Sequence, residues 1–285
     1  MPLSDVNGRS YGPQTVHLTE TLSRQFVSAT GDDESRWVNA APPSFAAALL
    51  FAVAPEFLTD PDVVPFTRVL VHSDQRFKWS GPLSHNSVWT VAATVTSVRS
   101  RGPMNFVTLA AEATGDNGSS LESTSVFLMG DKAGTGATDE RAEPSIAEHA
   151  ANESVAAVHL DDGAEPTQIA KSVSRLGLMK YAAVSGDFNP VHLDHDSAVA
   201  SGLAGIVVHG LLMSSWMLQV AVAGTSGDAP LVDARIRFKN PLFPAEQATI
   251  TGSMNTSGEG LTASLNATSG DVTLATCQAA IVRGG

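Results

Sequence analysis

The segment Gly210-Leu-Leu-Met-Ser-Ser-Trp-Met-Leu-Gln-Val-Ala-Val-Ala223 has the length of a helix, and its apolar residues leave no polar face. A helix that is apolar all round is buried all round. A sheet can bury it by curling about it. Four β segments follow, near 231–238, 247–254, 261–267 and 272–282, and their short connections indicate antiparallel neighbours. The segment therefore predicts an α+β fold in which an antiparallel sheet wraps around one buried helix.

The chain also repeats itself. Segments 21–32 and 176–187 end in Gly-Asp, and each has an aromatic residue six positions before the Asp. Further on, Arg76-Phe-Lys78 leads to Pro-Leu, as Arg237-Phe-Lys239 does. The offset is 155 residues at the first match and 161 at the second, a drift that a loop insertion explains. Two matches in the same order indicate a duplication.

Each half has the same predicted order of elements: a short strand, a short helix, a longer apolar helix and several strands. In the first half we expect helices near 19–29 and 44–54 and strands near 12–18, 69–79, 87–100, 105–114 and 121–128. The second half begins with a strand near 166–173 and a helix near 174–184. Segment 131–165 holds nine acids and two bases and is predicted to be a linker. We therefore predict one domain over 1–130, an acidic linker over 131–165 and a second domain over 166–285.

Composition narrows the class of protein. Hydrophobic residues make up 43% of the 285 residues, enough for a sizeable core. The net charge of −12 argues against nucleic-acid binding, which needs a basic face. No apolar run reaches the roughly 18 residues of a membrane-spanning helix, and the N-terminus does not resemble a signal peptide. The single cysteine, Cys277, excludes an internal disulfide. We expect a cytoplasmic protein.

The segment Ser185-Gly-Asp187-Phe-Asn189-Pro-Val-His192 carries most of the chemical information. Its Gly, Asn and Pro are typical of a turn that follows a helix. Asp187 and His192 can then point across the turn into one small volume. A carboxylate beside an imidazole is a general acid/base pair, and histidine works near neutral pH.

His209 and Gly210 stand at the predicted start of the buried helix, where free backbone N–H groups favour negative charge. An N–H aimed at a carbonyl oxygen would stabilise an enolate. An acid/base pair beside such a donor suits the hydration or dehydration of an α,β-unsaturated thioester. The histidines and Asp194 have no helical zinc-binding spacing, and no glycine-rich dinucleotide motif is present, so we expect neither a metal nor a redox cofactor.

Residues 181–210 resemble the signature of the MaoC-like, (R)-specific enoyl-CoA hydratases, also called hydratase 2. The resemblance implies a double hotdog, in which each antiparallel sheet wraps around a buried helix. It implies that Asp187 and His192 are catalytic, that the Gly210 N–H forms the oxyanion hole, and that the turn residue Asn189 belongs to the site. The implied reaction is the reversible hydration of trans-2-enoyl thioesters to (3R)-3-hydroxyacyl thioesters in fatty-acid metabolism, with coenzyme A or an acyl carrier as the thiol.

The first half departs from the motif. Aligned on Asp32, the position of His192 is taken by Trp37 and that of Asn189 by Glu34. We therefore predict a catalytically silent N-terminal hotdog, which either shapes the acyl groove or serves only as the partner sheet. Pairing of the two hotdogs within one chain would be compatible with further dimerisation.

Further binding residues and other functions were weighed. His209 is expected to contact substrate. Arg235, Arg237 and Lys239 alternate along a strand and could meet carrier phosphates, and of these Arg237 is the predicted substrate-binding residue. The alternatives to a hydratase are a hotdog acyl-CoA thioesterase, which the Asp-x-Asn-Pro-x-His spacing disfavours, and a non-catalytic subunit of a dehydratase complex.

Overall fold

The computed structural model describes residues 2–132, 141–144, 168–257 and 260–282. The first half contains the helices α1 (Glu20–Thr30), α2 (Ala46–Phe51) and α3 (Ala54–Leu58), and the strands β1 (Ser10–Leu18), β2 (Ala40–Ala41), β3 (Val69–Ser80), β4 (Leu83–Ser84), β5 (Ser87–Arg101), β6 (Met104–Gly115) and β7 (Ser120–Gly130). The second half contains the helices α4 (Arg175–Ser185), α5 (His195–Ala200) and α6 (Gly210–Val222), and the strands β8 (Ile169–Lys171), β9 (Leu231–Phe238), β10 (Ala248–Ser257), β11 (Gly260–Ser269) and β12 (Val272–Ile281).

Ten of these strands form a single sheet in the order β1-β5-β6-β7-β3-β9-β12-β11-β10-β8. The first five come from the first half and the last five, in mirrored order, from the second. The halves meet where β3 pairs antiparallel with β9, and Gln75 lies opposite Ile236. These two residues are 161 positions apart, the same offset as in the Arg-Phe-Lys repeat. The predicted double hotdog, with its halves joined edge to edge, is confirmed.

Helix α6 is buried along its length, and only Gly210 and Gln219 are not fully covered. It packs against β9, β10, β11 and β12. Its two serine hydroxyls do not require outside partners, since Ser214 and Ser215 both donate to the carbonyl oxygen of Leu211 at 2.9 Å. The central helix predicted from its missing polar face is confirmed.

The corresponding helix of the first half differs from the prediction. In place of one helix near 44–54, the chain forms a 3₁₀ turn over Pro43–Phe45, then α2, then a break before α3. Pro55 lies in the first turn of α3. Proline has no N–H to continue the hydrogen-bond ladder of α2, whereas the first turn of a new helix tolerates it. One helix therefore becomes two short ones.

Helices α1 and α4 occupy equivalent places in the two halves and have equivalent ends. Thr19 caps the start of α1 and Ser174 that of α4, while Gly31 and Gly186 end them in the left-handed conformation with φ of 60° and 79°. The helices pack against each other, and Phe26 meets Tyr181 with ring centroids 6.0 Å apart. The two repeated helices are thus in direct contact with each other.

Most of the predicted linker 131–165 lies outside the described residues, which include only 131–132 and 141–144 of it. Within the described part, Arg141 stacks on the ring of Phe243 at 3.7 Å and pairs with Glu246. Among the helices of the described ranges, none has the length and apolarity that crossing a bilayer requires.

Candidate active site

The turn after α4 places Asp187 in the interior. Gly186 reverses the chain with its left-handed φ, and Asn189 then caps a 3₁₀ turn over Pro190–His192 by accepting the N–H of Val191 at 3.4 Å. The Asp187 side chain accepts the N–H of Asn189 at 3.3 Å. Only 6% of Asp187 is exposed, and burial raises the pKa of its carboxyl against the opposing effect of His192.

His192 faces this carboxyl with a defined tautomer. Its Nδ1 lies 2.8 Å from the carbonyl oxygen of Val207, and both groups are buried. A carbonyl oxygen only accepts, so Nδ1 carries the proton and donates it. The lone pair is left on Nε2, the nitrogen that can act as a base.

His209 lies behind His192. The two rings stack with centroids 3.9 Å apart and planes 26° apart. The rings of Tyr181 and His209 meet edge to face, with centroids 4.9 Å apart. The His209 Nε2–H donates to the backbone carbonyl of Asp187 at 3.1 Å. Burial, with His192 nearby, lowers the pKa of His209 well below its usual value. His209 is therefore neutral and braces both members of the pair.

Gly210 begins α6, so its N–H has no partner within the helix. It adjoins the ring of Phe238: a Cβ at position 210 would stand 3.2 Å from that ring. Glycine thus allows the Phe238 ring to lie close against the start of the helix.

A cavity of about 220 Å³ joins these groups. Asp187, Asn189, His192 and Gly210 line one part of it, and His209 is not among its lining residues. The rest of the lining is mostly apolar and comes from both halves; the first half supplies Phe51, Leu58, Leu70, Val71, His72 and Phe127. The carboxyl of Asp187, the imidazole of His192 and the start of α6 at Gly210 therefore border a cavity whose remaining lining is mostly apolar.

The site also contains the trio best placed to hold a metal among the described residues. Ligating atoms of Asp187, His192 and His209 lie within 4.8 Å of one another. Asp194 does not join them, because its side chain caps α5 by accepting the N–H of Ser197 at 2.8 Å. Of the histidines and Asp194 considered for zinc from the sequence, His192 and His209 are brought together among the described residues, and Asp187 is the third group.

Family comparisons match a dehydratase domain model to each half of the chain. The MaoC like domain matches residues 162–276. The FAS1-like dehydratase domain region matches residues 5–122.

Several proteins resemble this chain in sequence, and several solved structures resemble it in fold. A UPF0336 protein of Thermobifida fusca is 31% identical over 122 residues, 38% of this chain and 80% of the relative. The mitochondrial 3-hydroxyacyl-[acyl-carrier-protein] dehydratase of Arabidopsis thaliana is 36% identical over 67 residues, 24% of this chain and 40% of the relative. A solved MaoC-like dehydratase superposes with a TM-score of 0.78 at 16% identity, covering 99% of this chain and 100% of the other. A Mycobacterium tuberculosis protein described as a double hotdog superposes with a TM-score of 0.66 at 12% identity, covering 98% and 97%.

The second half of the chain, over residues 162–276, is a MaoC-like domain. In this MaoC-like protein the first-half turn at Gly31 and Asp32, which corresponds to the turn at Gly186 and Asp187, has different side-chain contacts. Trp37 replaces the histidine, and its Nε1–H donates to the carboxylate of Asp32 at 3.1 Å. The buried Lys171, from the second half, donates to the carbonyl of Gly31 at 2.7 Å. Burial raises the pKa of Asp32 and lowers that of Lys171 to about 8. An indole offers no basic nitrogen, so the Asp-His pair of the second half has no counterpart in the described first-half turn; that this half is catalytically silent stays a prediction.

The basic residues at the end of β9 in the MaoC-like protein, Arg235, Arg237 and Lys239, do not form one continuous basic surface. Arg235 and Arg237 share the outer face of the sheet, as their alternation predicts, and both lie beside Asp74, at 2.9 and 3.5 Å. Lys239 follows the strand and lines the cavity. Arg237 does not line the cavity that holds Asp187 and His192, so its role in binding substrate stays a prediction.

Sequence reasoning did not identify the lining that the first half contributes. Phe51, His72 and Phe127 are more than 50 residues from the motif and carry no local signal of function. The repeat could have indicated them, since the edge-to-edge pairing of two hotdogs places β3 beside the end of β9.

Proposed function

We propose that this MaoC-like protein reversibly hydrates trans-2-enoyl thioesters to (3R)-3-hydroxyacyl thioesters. The observation that carries the proposal is the convergence of the Asp187 carboxyl, the His192 imidazole and the Gly210 N–H at one apolar cavity. The (R) configuration is inferred from the family resemblance. A relative with the name of a hydroxyacyl-carrier dehydratase supports the reaction class.

In the hydration direction the His192 Nε2 lone pair accepts a proton from a water molecule. The water oxygen bonds to Cβ, and the π electrons of the alkene move to form an enolate. The Gly210 N–H stabilises the enolate oxygen. Losing such a donor commonly costs on the order of 10²–10³ in rate.

Asp187 completes the reaction as the acid. Its raised pKa favours the protonated form that can give a proton to Cα. A proton then passes from His192 to Asp187 and restores both groups. Dehydration is the same sequence in reverse, and neither direction requires an electron acceptor or a metal.

The test uses crotonyl-CoA with the wild type, Asp187→Asn and His192→Gln. We expect each variant to lose at least about a hundredfold in kcat, the usual size of a general acid/base contribution. The matched control is Asp32→Asn, which changes the equivalent carboxyl of the first half. Near wild-type rates in both second-half variants, with unchanged thermal unfolding, would refute the proposal.

Further measurements distinguish a hydratase from a thioesterase and from a non-catalytic subunit. A thioesterase releases free thiol from acyl-CoA, whereas a hydratase releases none, so thiol detection should stay at background. Assays with a metal chelator should match those without it. A non-catalytic subunit would show no activity as the isolated chain.

A further inference from the structure

A small apolar cluster forms the wall of the cavity beside the motif turn. Its buried members are Val191, Ala198 and Val207, and the partly buried Leu203 and Phe243 pack against them. Three of the five, Val191, Leu203 and Val207, line the cavity. The cluster is separate from the main core, as satellite clusters under loops commonly are. The position of this wall therefore depends on the contacts of the loop that carries it.

Arg141, from the predicted linker, contacts the cluster through Phe243. Its guanidinium carbon lies 3.7 Å from the centroid of the Phe243 ring, and its Nη1 pairs with Glu246 at 2.5 Å. The other carboxylate oxygen of Glu246 accepts the N–H of Phe243 at 3.3 Å. The three residues thus form a closed set of contacts, in which the attraction of a cation to an aromatic ring adds to an ion pair.

The main chain of Arg141 is bonded to the loop that carries Leu203. Its N–H donates to the carbonyl oxygen of Ala204 at 2.7 Å. A Cβ at Gly205 would lie 3.6 Å from the Cβ of Arg141, so the two chain segments are in close contact. Arg141 therefore links the Leu203 loop to Phe243, two parts of the cluster that are distant in the sequence.

A second arginine anchors the same part of the linker. Arg175, at the start of α4, pairs with Glu143 at 2.6 Å and donates to the carbonyl of Pro144 at 3.2 Å. It also donates to the carbonyl of Leu193 at 3.4 Å, next to the motif histidine. Residues 141–144 are therefore fixed at both ends to the second half.

The acid/base pair is held by contacts that do not involve Arg141. The Val207 carbonyl, which accepts the Nδ1–H of His192, belongs to a residue whose own N–H donates to the carbonyl of Val191 at 3.2 Å. Removing the Arg141 side chain therefore loosens the wall at Leu203 and leaves His192 in place.

We propose that Arg141 is a positioning residue for the cavity wall at Leu203, and that it thereby sets how long an acyl group the site accepts. This inference rests on the proposed function for the identity of the substrate as an enoyl thioester. It adds that the linker between the two halves takes part in selecting the acyl chain.

The kinetic test measures kcat and KM of the wild type and Arg141→Ala for trans-2-enoyl-CoA esters of increasing chain length. We expect the wild type to prefer one length, and Arg141→Ala to reduce that preference in kcat/KM by about fivefold, the size of one partly exposed cation–π and ion-pair contact. The change should lie in KM, with kcat and its pH profile nearly unchanged. Arg141→Lys keeps the ion pair but loses the planar stacking, so it should retain part of the preference.

Two further variants test the contacts themselves. Glu246→Gln removes the ion pair from the other side, and adding it to Arg141→Ala should change little, because residues that share one contact are not additive. The matched control is Arg24→Ala, which breaks another exposed ion pair, with Glu20 at 2.6 Å on α1. An equal change in length preference for Arg24→Ala would overturn the inference.

Measurements without turnover separate this inference from the proposed function. Hydrogen exchange of the amides over 202–205 should be faster in Arg141→Ala than in the wild type, since it reports local opening. Calorimetry with non-reactive thioether analogues of different lengths should show the same loss of preference. If both results hold although no ester is hydrated, the hydratase proposal fails alone. Unchanged exchange, or the same length preference in both proteins, overturns the role of Arg141.

Discussion

His209 donates its Nε2–H to the backbone carbonyl of Asp187 at 3.1 Å while its ring stacks on His192 at 3.9 Å. One buried, neutral side chain therefore fixes both members of the proposed acid/base pair. His209 is placed to act through its neighbours, because it does not line the cavity.

Replacing His209 with Phe should separate these two contacts. Phe keeps a ring against His192 but leaves the Asp187 carbonyl without its donor. We expect kcat to fall by about tenfold, in line with a lost buried hydrogen bond worth roughly 1–3 kcal/mol, with KM nearly unchanged. His209→Gln retains an N–H donor and should recover part of kcat. Equal rates for wild type and His209→Phe would contradict the positioning role.

The contribution of His209 and His72 to the stability of the protein should decrease as the pH drops below about 6.5. The folded-state pKa of His209 lies well below its usual value of 6.5, and that of His72 is about 4. Above pH 6.5 both rings are neutral in the folded and unfolded chains. Below it the unfolded chain takes up protons that the folded chain does not, at about 1.4 kcal/mol per pH unit for each group.

Chemical denaturation between pH 7.5 and pH 5, run in parallel on wild type and His209→Gln, measures this contribution. The variant lacks one of the two titrating rings, so its unfolding free energy should decline less steeply. The buried Asp187 and Asp32 have raised pKa values and act in the opposite direction, but they are common to both proteins. Parallel curves would refute the assignment to His209.

Gly210→Ala should impair catalysis without unfolding the protein. The added Cβ would lie 3.2 Å from the Phe238 ring, so the ring or the helix start must move by a few tenths of an ångström. We expect kcat/KM to fall by about tenfold, less than the complete loss of an oxyanion donor. Adding Phe238→Leu relieves the contact and should restore part of the rate. A double variant no better than Gly210→Ala would exclude this steric explanation.

Lys171→Met should lower stability and leave the rate per folded molecule unchanged. Lys171 is 1% exposed, donates to the Gly31 carbonyl and lies near the buried Asp32. Its loss leaves a partly buried carbonyl without this donor, at a cost of about 1 kcal/mol. Thermal unfolding should show the loss, and Lys171→Met with Asp32→Asn should be less affected. A large drop in kcat would instead indicate a function for the first-half turn.

Lys239 and Arg237 should differ in their effect on KM. Lys239 lines the cavity, whereas Arg237 lies on the outer face beside Asp74. We expect Lys239→Ala to raise KM for a coenzyme A ester several-fold and to reduce its salt dependence, because exposed charge pairs are screened by salt. Arg237→Ala is the matched control and should change KM little. The opposite ranking would return Arg237 to the substrate site, as the sequence predicts.

Much of the fold was predictable because its signals are local. The apolar helix over Gly210–Val222, the strand segments and the two Gly-Asp turns each follow from residues close together in the chain. The sheet order of the second half follows from short connections. The first-half helix was mispredicted because its apolar pattern continues through the break, and only Pro55 marks the change.

The candidate site likewise has some features that follow from local sequence and others that depend on tertiary packing. The sequence by itself determined that Asp187 and His192 share a turn and that Gly210 opens a buried helix, because turn residues, helix starts and hydrophobic periodicity act over a few positions. Only the tertiary structure decided which His192 nitrogen bears the proton, that His209 stands behind the pair, and that His72 and Phe51 complete the cavity. The physical reason is that these features depend on burial and on the pairing of β3 with β9. Both arise from packing between segments far apart in the chain.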